Sequence, residues 1–313
     1  MLEAVLSPEN VRETPVSSPR KSLAIIYNPT AGQRRQARLK RTLEALESLG
    51  ADVALHATTH QGHAREIATS LATSDVQPDA IVAAGGDGTI NEILNGIVDA
   101  QIDDIPLGII PLGTANVLAI EIGLPTSPEK VARALIEAPA QNISTGTANG
   151  RRFIMMAGAG LDAHVVEKVD LRLKKRVGPL AYVYETLRQI ARGYGERYDV
   201  TIDGKTYQAG GAVIANGHYY GGRYVCAPDA RIHAPSLDVC LFGQTGRCAA
   251  LKYGAGLVLG FLRKLPSFQV IRADTIHING RPGDPVQADG EIVARLPVEI
   301  RVGLKSPPLI MPA

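Results

Sequence analysis

One short stretch, VAAGGDGTINEILNGI at residues 82–97, combines a bare backbone with a single carboxylate. Gly85, Gly86 and Gly88 surround Asp87, directly after an apolar run and directly before a helix-like pattern. Glycine lets the main chain approach a phosphate closely, and the amides at the start of the following helix attract anions. A lone acid would repel bare phosphate but suits a magnesium-bound phosphate, or a ribose or substrate hydroxyl. A plain strand-to-helix turn needs only one or two glycines, so the stretch predicts one wall of a phosphate-binding crevice.

Two further loops carry small residues and hydroxyls at the ends of predicted strands: NPTAG at 28–32 and PLGTANVLA at 111–119. Each alone is also typical of an ordinary turn, because Asn, Pro and Gly are common turn residues. Parallel α/β sheets bind ligands outside the carboxyl ends of their strands, so all three loops should converge on one crevice. The sequence has no GxxxxGK[ST] motif, which excludes a P-loop enzyme.

The elements that must position these loops alternate between strand and helix from residue 22 to about residue 140. SLAIIYN, DVALHAT, DAIVAA and PLGIIPL are short apolar runs, and helix-like segments separate them. This alternation predicts βαβ units and a parallel sheet wrapped by helices. Near-continuous apolar runs are typical of strands that are buried on both faces.

After about residue 140 the sequence changes to short strands separated by turns. Asp203-Gly204 and Asn279-Gly280 predict hairpin turns, and two helices are expected at 178–194 and 247–262. This half predicts a largely antiparallel β domain. Its AGAGLDA stretch, residues 157–163, also matches GxGxxA, so dinucleotide binding there is an alternative, although a lone match is weak.

Composition bounds the class of protein. The 313 residues are 45% apolar and 20% charged, which is ordinary for a globular chain, and the net charge of +2 argues against nucleic-acid binding. Cys226, Cys240 and Cys248 lie far apart, as in a cytoplasmic protein with reduced thiols. Residues 1–21 are expected to form a disordered tail. The apolar stretch at 253–262 is too short to span a membrane, so any membrane contact would be peripheral.

A basic cluster precedes the first helix of the second half: Lys168, Arg172, Lys174, Lys175 and Arg176. Clustered cations attract anionic lipid at about 1 kcal/mol each near the surface. The cluster, followed by an apolar and aromatic helix, predicts peripheral contact with an anionic membrane surface. A solvated helix face is the alternative. The sequence does not determine the oligomeric state and allows a homodimer.

Taken in order, the motifs NPTAG, GGDGTINE, PLGTANVLA, GAGLDA, YYGG with APDA, and ADGE resemble the diacylglycerol kinase catalytic-domain family. The likeness is strongest to the bacterial lipid kinases of the YegS type, which sphingosine and ceramide kinases also resemble. It spans residues 22 to about 305 and implies an α/β nucleotide-binding domain at 22–140, similar to that of NAD kinase. It also implies a β-sandwich domain for the lipid at 141–304, a cleft between the two domains, and a segment, 305–313, that returns to the first.

The same resemblance implies the residues of the site. Asp289 of the ADGE stretch becomes the candidate general base and Glu291 the alternative. Magnesium is expected to arrive with ATP, and Asp87 to arrange nucleotide and metal rather than take the proton. The implied ATP contacts are Asn28, Pro29, Thr30, Ala31, Gly32, Thr58 (with Thr59 as its substitute), Gly85, Gly86, Asp87, Gly88, Thr89, Ile90, Asn91 and Thr114.

Two departures from the family pattern stand out. Many members have an aspartate after GTxN, where this chain has Val117. Members often read LDDGLLDV after APDA, and the second aspartate there helps to hold a structural magnesium; this chain has His233 and Ala234 instead. Backbone carbonyls alone make a poor magnesium cage. We therefore expect that this site is lost or rebuilt, with Asp238 as a weak substitute, and we predict no metal ligands.

The sequence thus predicts an ATP- and magnesium-dependent lipid kinase that phosphorylates a hydroxyl of diacylglycerol or a related lipid. Phosphoryl transfer asks a protein mainly for positioning and charge neutralisation, which these loops could supply. Two alternatives stay open. One is a small-molecule kinase similar to NAD kinase, and the other is a nucleotide- or lipid-binding protein without catalysis.

Overall fold

The structure, a computed structural model, describes residues 19–29, 33–102, 104–170, 180–193, 195–303 and 306–312. Several predictions fall outside these ranges: the tail over residues 1–18, the nucleotide contacts Thr30, Ala31 and Gly32, and the basic residues Arg172, Lys174, Lys175 and Arg176.

The predicted disordered tail, residues 1–21, includes residues that pack against the first domain. Arg20 is buried, and its guanidinium donates to the carbonyl oxygens of Leu135 and Ala138 at 3.0 and 2.9 Å. These bonds satisfy the last carbonyls of a helix, which is why the chain is packed before the first strand begins.

A six-stranded sheet forms the centre of the first domain. With the strands of the chain numbered in order, it comprises β1 (Ser22–Tyr27), β2 (Asp52–Ala57), β3 (Ala80–Gly85), β4 (Leu107–Pro111), β5 (Ala140–Gln141) and β20 (Leu309–Ile310). The order across the sheet is β2-β1-β3-β4-β20-β5, and β1 to β4 are parallel. Strand β20 pairs parallel with β4 and antiparallel with β5, so the chain returns to this sheet after the second domain.

Among the described residues of the first domain, five helices cover the two faces of this sheet: α1 (Gln33–Ser48), α2 (His63–Ala72), α3 (Asp87–Asp99), α4 (Val117–Glu121) and α5 (Pro128–Glu137). Alternate strand residues face opposite layers, as the two-residue repeat of a strand requires. Ile25 packs with α1 and α5, and its neighbour Ile26 packs with α2 and α3. The predicted α/β domain is therefore confirmed.

Two six-stranded antiparallel sheets pack face to face in the second domain, which confirms the predicted β-sandwich. The first has the order β10-β9-β16-β19-β6-β7, with β6 (Thr145–Ala148), β7 (Arg151–Phe153), β9 (Tyr198–Ile202), β10 (Lys205–Ala209), β16 (Thr275–Asn279) and β19 (Val298–Gly303). The second has the order β15-β14-β11-β8-β17-β18, with β8 (Met156–Ala159), β11 (Ala212–Ala215), β14 (Leu237–Phe242), β15 (Phe268–Ala273), β17 (Pro285–Ala288) and β18 (Glu291–Arg295). A small ribbon adds β12 (Tyr219–Tyr220) and β13 (Tyr224–Val225).

In the described part of the second domain, three helices and a 3₁₀ turn accompany the sandwich: α6 (Leu161–Lys168), α7 (Leu180–Arg192), α8 (Arg247–Val258) and Leu262–Lys264. The last two helices fall where the sequence predicted them, and α6 was not predicted. Among the residues described, no helix combines the length and the apolar character needed to cross a bilayer.

One of the two predicted hairpins exists. Asp203-Gly204 joins β9 to β10, with φ of +47° and +83°, the left-handed conformations that a two-residue hairpin turn requires. The second hairpin prediction was wrong, because β16 ends at Asn279 and the next strand, β17, lies in the other sheet. Gly280 is needed there for space, since a Cβ on it would lie 2.6 Å from the ring of Tyr198.

Candidate active site

The ADGE stretch forms a tight hairpin turn between β17 and β18. Asp289 and Gly290 have φ of +48° and +84°, and the Asp289 amide donates to the carbonyl oxygen of Met156 at 2.9 Å. Two adjacent residues in the left-handed region make a turn that matches the twist of its strands. The turn therefore holds the Asp289 side chain in one direction, toward the first domain.

Four N–H groups surround the Asp289 carboxylate. Three are main-chain amides, of Ile154 (2.7 Å), Met155 (2.9 Å) and Met156 (3.1 Å), and the fourth is the side-chain amide of Asn91 (2.9 Å). The chain leaves β7 for β8, in the other sheet, at these residues, so their amides need partners outside the strand ladders. Burial raises the pKa of Asp289, and the four hydrogen bonds oppose that rise.

Asn91 brings the first domain to this carboxylate. It lies in α3, and the same amide also donates to the carbonyl oxygen of Arg152 at 3.1 Å. Its oxygen accepts from Asn95, one helical turn further on, at 3.0 Å. Asn91 is one of the nucleotide contacts that the family resemblance implies, whereas its side chain is committed to the junction with the second domain.

Glu291 lies at the start of β18 and reaches the glycine-rich loop of the first domain. A Cβ on Gly88 would lie 3.1 Å from Glu291 Oε1. The two stretches that the sequence singled out, GGDG and ADGE, therefore meet across the domain boundary although about two hundred residues separate them.

The glycine-rich loop also packs backbone to backbone against the loop after β4. A Cβ on Gly113 would lie 2.5 Å from the Cα of Gly86 and 2.5 Å from Asn116 Oδ1. Asn116 closes the second loop by accepting the Gly113 amide at 2.7 Å. The bareness of the GGDG stretch thus has a structural cause, because side chains would force these two loops apart.

Asp87 joins the same two loops by hydrogen bonds. Its Oδ1 accepts the main-chain amide of Leu118 at 3.2 Å, at the start of α4. Burial raises the pKa of Asp87, and the amides of Leu118, Val117 and Asn116 counteract that effect. In this structure the carboxylate holds the loop after β4 in place beside the start of α3.

Other predicted contacts lie at the ends of the neighbouring strands. Thr58 follows β2 and donates its amide to the carbonyl oxygen of Tyr27 at 2.9 Å. Thr114 is exposed and accepts from the Arg35 guanidinium at 2.9 Å. Asn28 and Pro29 follow β1 and are exposed. An arginine therefore stands at the mouth of the predicted crevice, where it can attract phosphate.

Two of the predicted contacts point elsewhere. The Ile90 side chain is only 1% exposed and packs in the core beneath α3. The Thr89 side chain lies over Gly85, where a Cβ would approach its Oγ1 to 2.5 Å. Within this stretch Gly85 is buried at the end of β3, and Gly86, Asp87 and Gly88 form the turn and the first residues of α3. The remaining three residues anchor the helix.

A second contact between the domains was not predicted from the sequence. Glu121 of α4 accepts the main-chain amide of His218 at 3.0 Å and its Nδ1 at 2.6 Å. Arg231 donates to His218 Nε2 at 2.8 Å, which requires the hydrogen on Nδ1 and makes that nitrogen the donor to Glu121. The only available signal was a single acid in an otherwise apolar helix.

Around the expected structural magnesium site, the side chains have other partners. His233 Nδ1 lies 2.9 Å from the Asn142 carbonyl oxygen, and Asp238, the possible substitute ligand, lies 3.5 Å from Arg272. Within the part of the chain that the structure describes, no three His, Cys, Asp or Glu side chains form a metal-binding group. The loss of this site stays a prediction.

The GxGxxA match does not form a dinucleotide-binding unit. Strand β8 runs antiparallel to both of its neighbours, β11 and β17, so α6 is not the helix of a βαβ crossover. Instead, Asp162 of this motif supports the ADGE turn indirectly. Its carboxylate accepts from the Gln287 amide at 3.0 Å, and the Gln287 oxygen accepts the Gly290 amide at 3.0 Å.

The buried Asp162 carboxylate should make the protein less stable as the pH rises. Burial raises its pKa to about 6 from an ordinary 3.8. Stability from this group is greatest below the unfolded pKa, falls between about pH 4 and pH 6, and stays low above. Relative to the wild type, Asp162→Asn should gain up to about 3 kcal/mol of unfolding free energy over that window.

Urea unfolding of both proteins across this pH range measures the difference. Asp203→Asn, at the exposed hairpin turn, is the matched control, and its difference from the wild type should not change with pH. An Asp162→Asn difference that is flat across the same range would contradict the prediction.

Fold and site together define a class of protein: a two-domain chain with an α/β domain, a β-sandwich domain and a glycine-rich loop at their junction. The diacylglycerol kinase catalytic domain matches residues 22–148, and the YegS C-terminal NAD kinase beta sandwich-like domain matches residues 155–309. The chain belongs to the diacylglycerol kinase catalytic-domain family.

Several individual proteins and solved structures are similar to this chain. The diacylglycerol kinase of Bacillus subtilis is 30% identical over 89% of this chain and 92% of its own length. A probable lipid kinase YegS-like of Pseudomonas aeruginosa is 29% identical, over 85% and 88%. Among solved structures, a diacylglycerol kinase from Bacillus anthracis shares the fold with a TM-score of 0.74 at 24% identity, covering 95% of this chain and 98% of that one. Yeast NADH kinase, complexed with NADH, gives a TM-score of 0.50 at 13% identity, over 94% and 84%.

Proposed function

We propose that this protein transfers the γ-phosphate of ATP to a hydroxyl of diacylglycerol or a related lipid, in the cleft between its two domains. The observation that carries the proposal is the contact of Glu291 with Gly88, beside Asp289. As a result, the carboxylates of Asp289 and Glu291 in the second domain lie next to the glycine-rich loop of the first domain. The names of the relatives supply the lipid and its class.

The nucleotide would lie along the loops that end β1, β3 and β4. Gly86 and Gly88 present backbone, and the first amides of α3 have no carbonyl partners within their helix. Arg35, hydrogen-bonded to Thr114, adds positive charge at the same place. This donor set fits a triphosphate, because N–H groups and a guanidinium are the groups that phosphate oxygens accept from.

Magnesium would bind together with ATP. It supplies charge neutralisation to the phosphates when it is bound. Glu291 is the side chain that fits it best, since a carboxylate oxygen at Gly88 is the hard ligand that magnesium prefers.

Asp289 is the proposed general base, and Glu291 is the alternative. The base takes the proton of the lipid hydroxyl while that oxygen bonds to the γ-phosphorus and the bond to ADP breaks. Burial, which raises the pKa of Asp289, strengthens it as a base. Its four N–H donors fill the usual acceptor positions of a carboxylate, so one of them must give way. Asn91 is the side-chain donor among them and the one that can turn aside.

A labelling experiment tests the activity. The protein is incubated with γ-labelled ATP, magnesium, a panel of lipids in mixed micelles, and NAD. We expect label in a lipid that carries a free hydroxyl, and we expect the label to persist in Glu299→Gln, a control on β19 away from the cleft. Label in NAD alone would favour the NAD kinase-like alternative, which the shared fold with yeast NADH kinase keeps relevant. Label in no acceptor would favour a binding protein without catalysis.

The proposed partners are the lipid substrate and, by peripheral contact, an anionic membrane surface that contains it. Lys168, at the end of α6, is the exposed member of the predicted basic cluster that the structure describes. The homodimer that the sequence allows stays a prediction.

A further inference from the structure

Helix α7 packs with polar side chains inward. The buried residues of this helix are Ala181, Glu185, Gln189 and Ile190. Glu185 as a whole residue is only 2% exposed. Glu185 accepts from the Gln189 amide, and from Arg188 at 3.2 Å. A helix on a protein surface normally turns its apolar stripe inward and its polar stripe to water. Here a carboxylate and an amide occupy the inner side.

The outer side of the same helix is apolar. Leu180, Val183, Tyr184 and Leu187 are 65%, 53%, 59% and 54% exposed, and they follow the three- and four-residue spacing of one helix face. Exposure of an apolar stripe to water is unfavourable, and burying it against an apolar partner would lower the free energy.

Two neighbouring elements continue this surface. Helix α8 packs against α7 and leaves Leu251 and Val258, seven residues apart, 53% and 59% exposed, followed by Leu259 at 72%. Strand β13 packs against α8 and exposes Tyr224 (44%) and Val225 (40%). We call the exposed apolar side chains of α7, α8 with Leu259, and β13 the apolar face.

The apolar face contains most of the exposed large hydrophobic residues in the part of the chain that the structure describes. Of the twelve large hydrophobic residues that are exposed among the described residues, nine belong to it. Single exposed hydrophobics are normal on soluble proteins, whereas a large contiguous group marks an interaction site.

The charges around the apolar face select its partner. Its elements and their flanks carry exposed cations at Arg188, Arg192, Arg223, Arg247 and Lys252. In α7, α8 and the β12–β13 ribbon, the single acid is Glu185, and it is buried. Because the exposed charged residues within these three elements are all cations, the apolar face complements an anionic lipid surface, where cations meet headgroups and apolar side chains enter the acyl boundary.

We propose that the apolar face docks this protein on the surface of an anionic lipid bilayer, an inference that rests on the proposed lipid substrate for its biological sense. The face belongs to the sandwich domain, which also supplies the ADGE turn. Docking through it would bring the carboxylates of the cleft to the same membrane that holds the lipid.

The chain contains no tryptophan, so single tryptophans can report on docking. Tyr184→Trp places the reporter on the apolar face, and Val76→Trp, at a residue 88% exposed in the first domain, is the matched control. Vesicles contain equal parts of phosphatidylglycerol and phosphatidylcholine, without diacylglycerol and without ATP. We expect a blue shift of the emission for Tyr184→Trp, none for Val76→Trp, and a much smaller shift with phosphatidylcholine alone.

A second pair of variants measures affinity. Leu187→Asn combined with Leu251→Asn should weaken vesicle binding by at least about tenfold, because two apolar side chains lose their lipid contact. Its phosphorylation of a short-chain lipid in detergent should stay at the wild-type level. Leu55→Asn, at an exposed leucine of β2, is the control that should leave both unchanged.

Three results would overturn the inference. Vesicle binding without a shift in Tyr184→Trp would place docking elsewhere, and no vesicle binding would remove it. A shift that appears without vesicles, together with a doubled mass in ultracentrifugation, would show that a second copy covers the face. Because the vesicles contain neither diacylglycerol nor ATP, docking is measured independently of catalysis. Docking on them, combined with no label in any acceptor in the separate labelling experiment, would refute the proposed kinase function while supporting the apolar face.

Discussion

Asp289→Asn should reduce lipid phosphorylation by about 100- to 10,000-fold, the range that positioned acid–base groups contribute. The same substitution should lower the free energy of unfolding by about 1–3 kcal/mol. An asparagine replaces one carboxylate oxygen by an NH₂ group, so main-chain amides of residues 154–156 lose an acceptor. Initial rates with γ-labelled ATP and urea unfolding measure the two effects.

Two controls separate chemistry from structure. Asp203→Asn changes the first residue of another Asp-Gly hairpin turn, which is exposed, and should alter neither quantity. Glu291→Gln should reduce activity while leaving unfolding within about 0.5 kcal/mol of the wild type. Full activity in Asp289→Asn would contradict its role as the base. A larger loss in Glu291→Gln than in Asp289→Asn would transfer that role to Glu291.

Gly113→Ala should raise the KM for ATP by about a hundredfold or more, since a methyl group there collides with the backbone of Gly86 as well as with the side chain of Asn116. The Cα of Gly86 lies 2.5 Å from the new Cβ, so the loops after β3 and β4 must separate. Overpacking of this kind costs about 1–3 kcal/mol of stability. Steady-state kinetics in detergent micelles and urea unfolding measure both.

The matched substitution is Gly254→Ala in α8, where a Cβ meets nothing within 4 Å. Alanine favours a helix over glycine by up to about 1 kcal/mol, so this variant should be as stable as the wild type or more stable, with an unchanged KM. An unchanged KM in Gly113→Ala would show that the nucleotide does not depend on the packing of these two loops.

The first domain could be predicted because its signals are local. Strands buried on both faces, such as Ala80–Gly85, must be apolar throughout, and the helices between them have the 3.6-residue period. The second domain could be predicted only in class. RRFIMMAG has the pattern of one strand, yet the chain changes sheets at Ile154 and Met155. Nothing in the pattern of apolar residues marks that change, since both sheets share one core.

The candidate site, too, could be predicted from the sequence only in part. Glycines show where a backbone must come close to something, so the sequence indicated the loop that contains Gly86. It could not show that Gly113 of the next loop is what comes close. Side-chain direction was the harder part. Asn91 faces Asp289, and Glu121 faces His218, across distances of 198 and 97 residues along the chain. Such pairs depend on how two finished domains pack, which no short motif contains.

The return of β20 to the first sheet has a consequence for the order in which the protein can fold during its synthesis. Leu309 and Ile310 are almost fully buried between β4 and β5, but they leave the ribosome only after the whole sandwich. Until then the edge of β4 has no strand beside it and presents unpaired backbone groups. The nascent first domain is therefore incomplete while the second is made, a period in which exposed edges favour aggregation. The segment that completes the sheet also makes the two domains, in folding, a single unit.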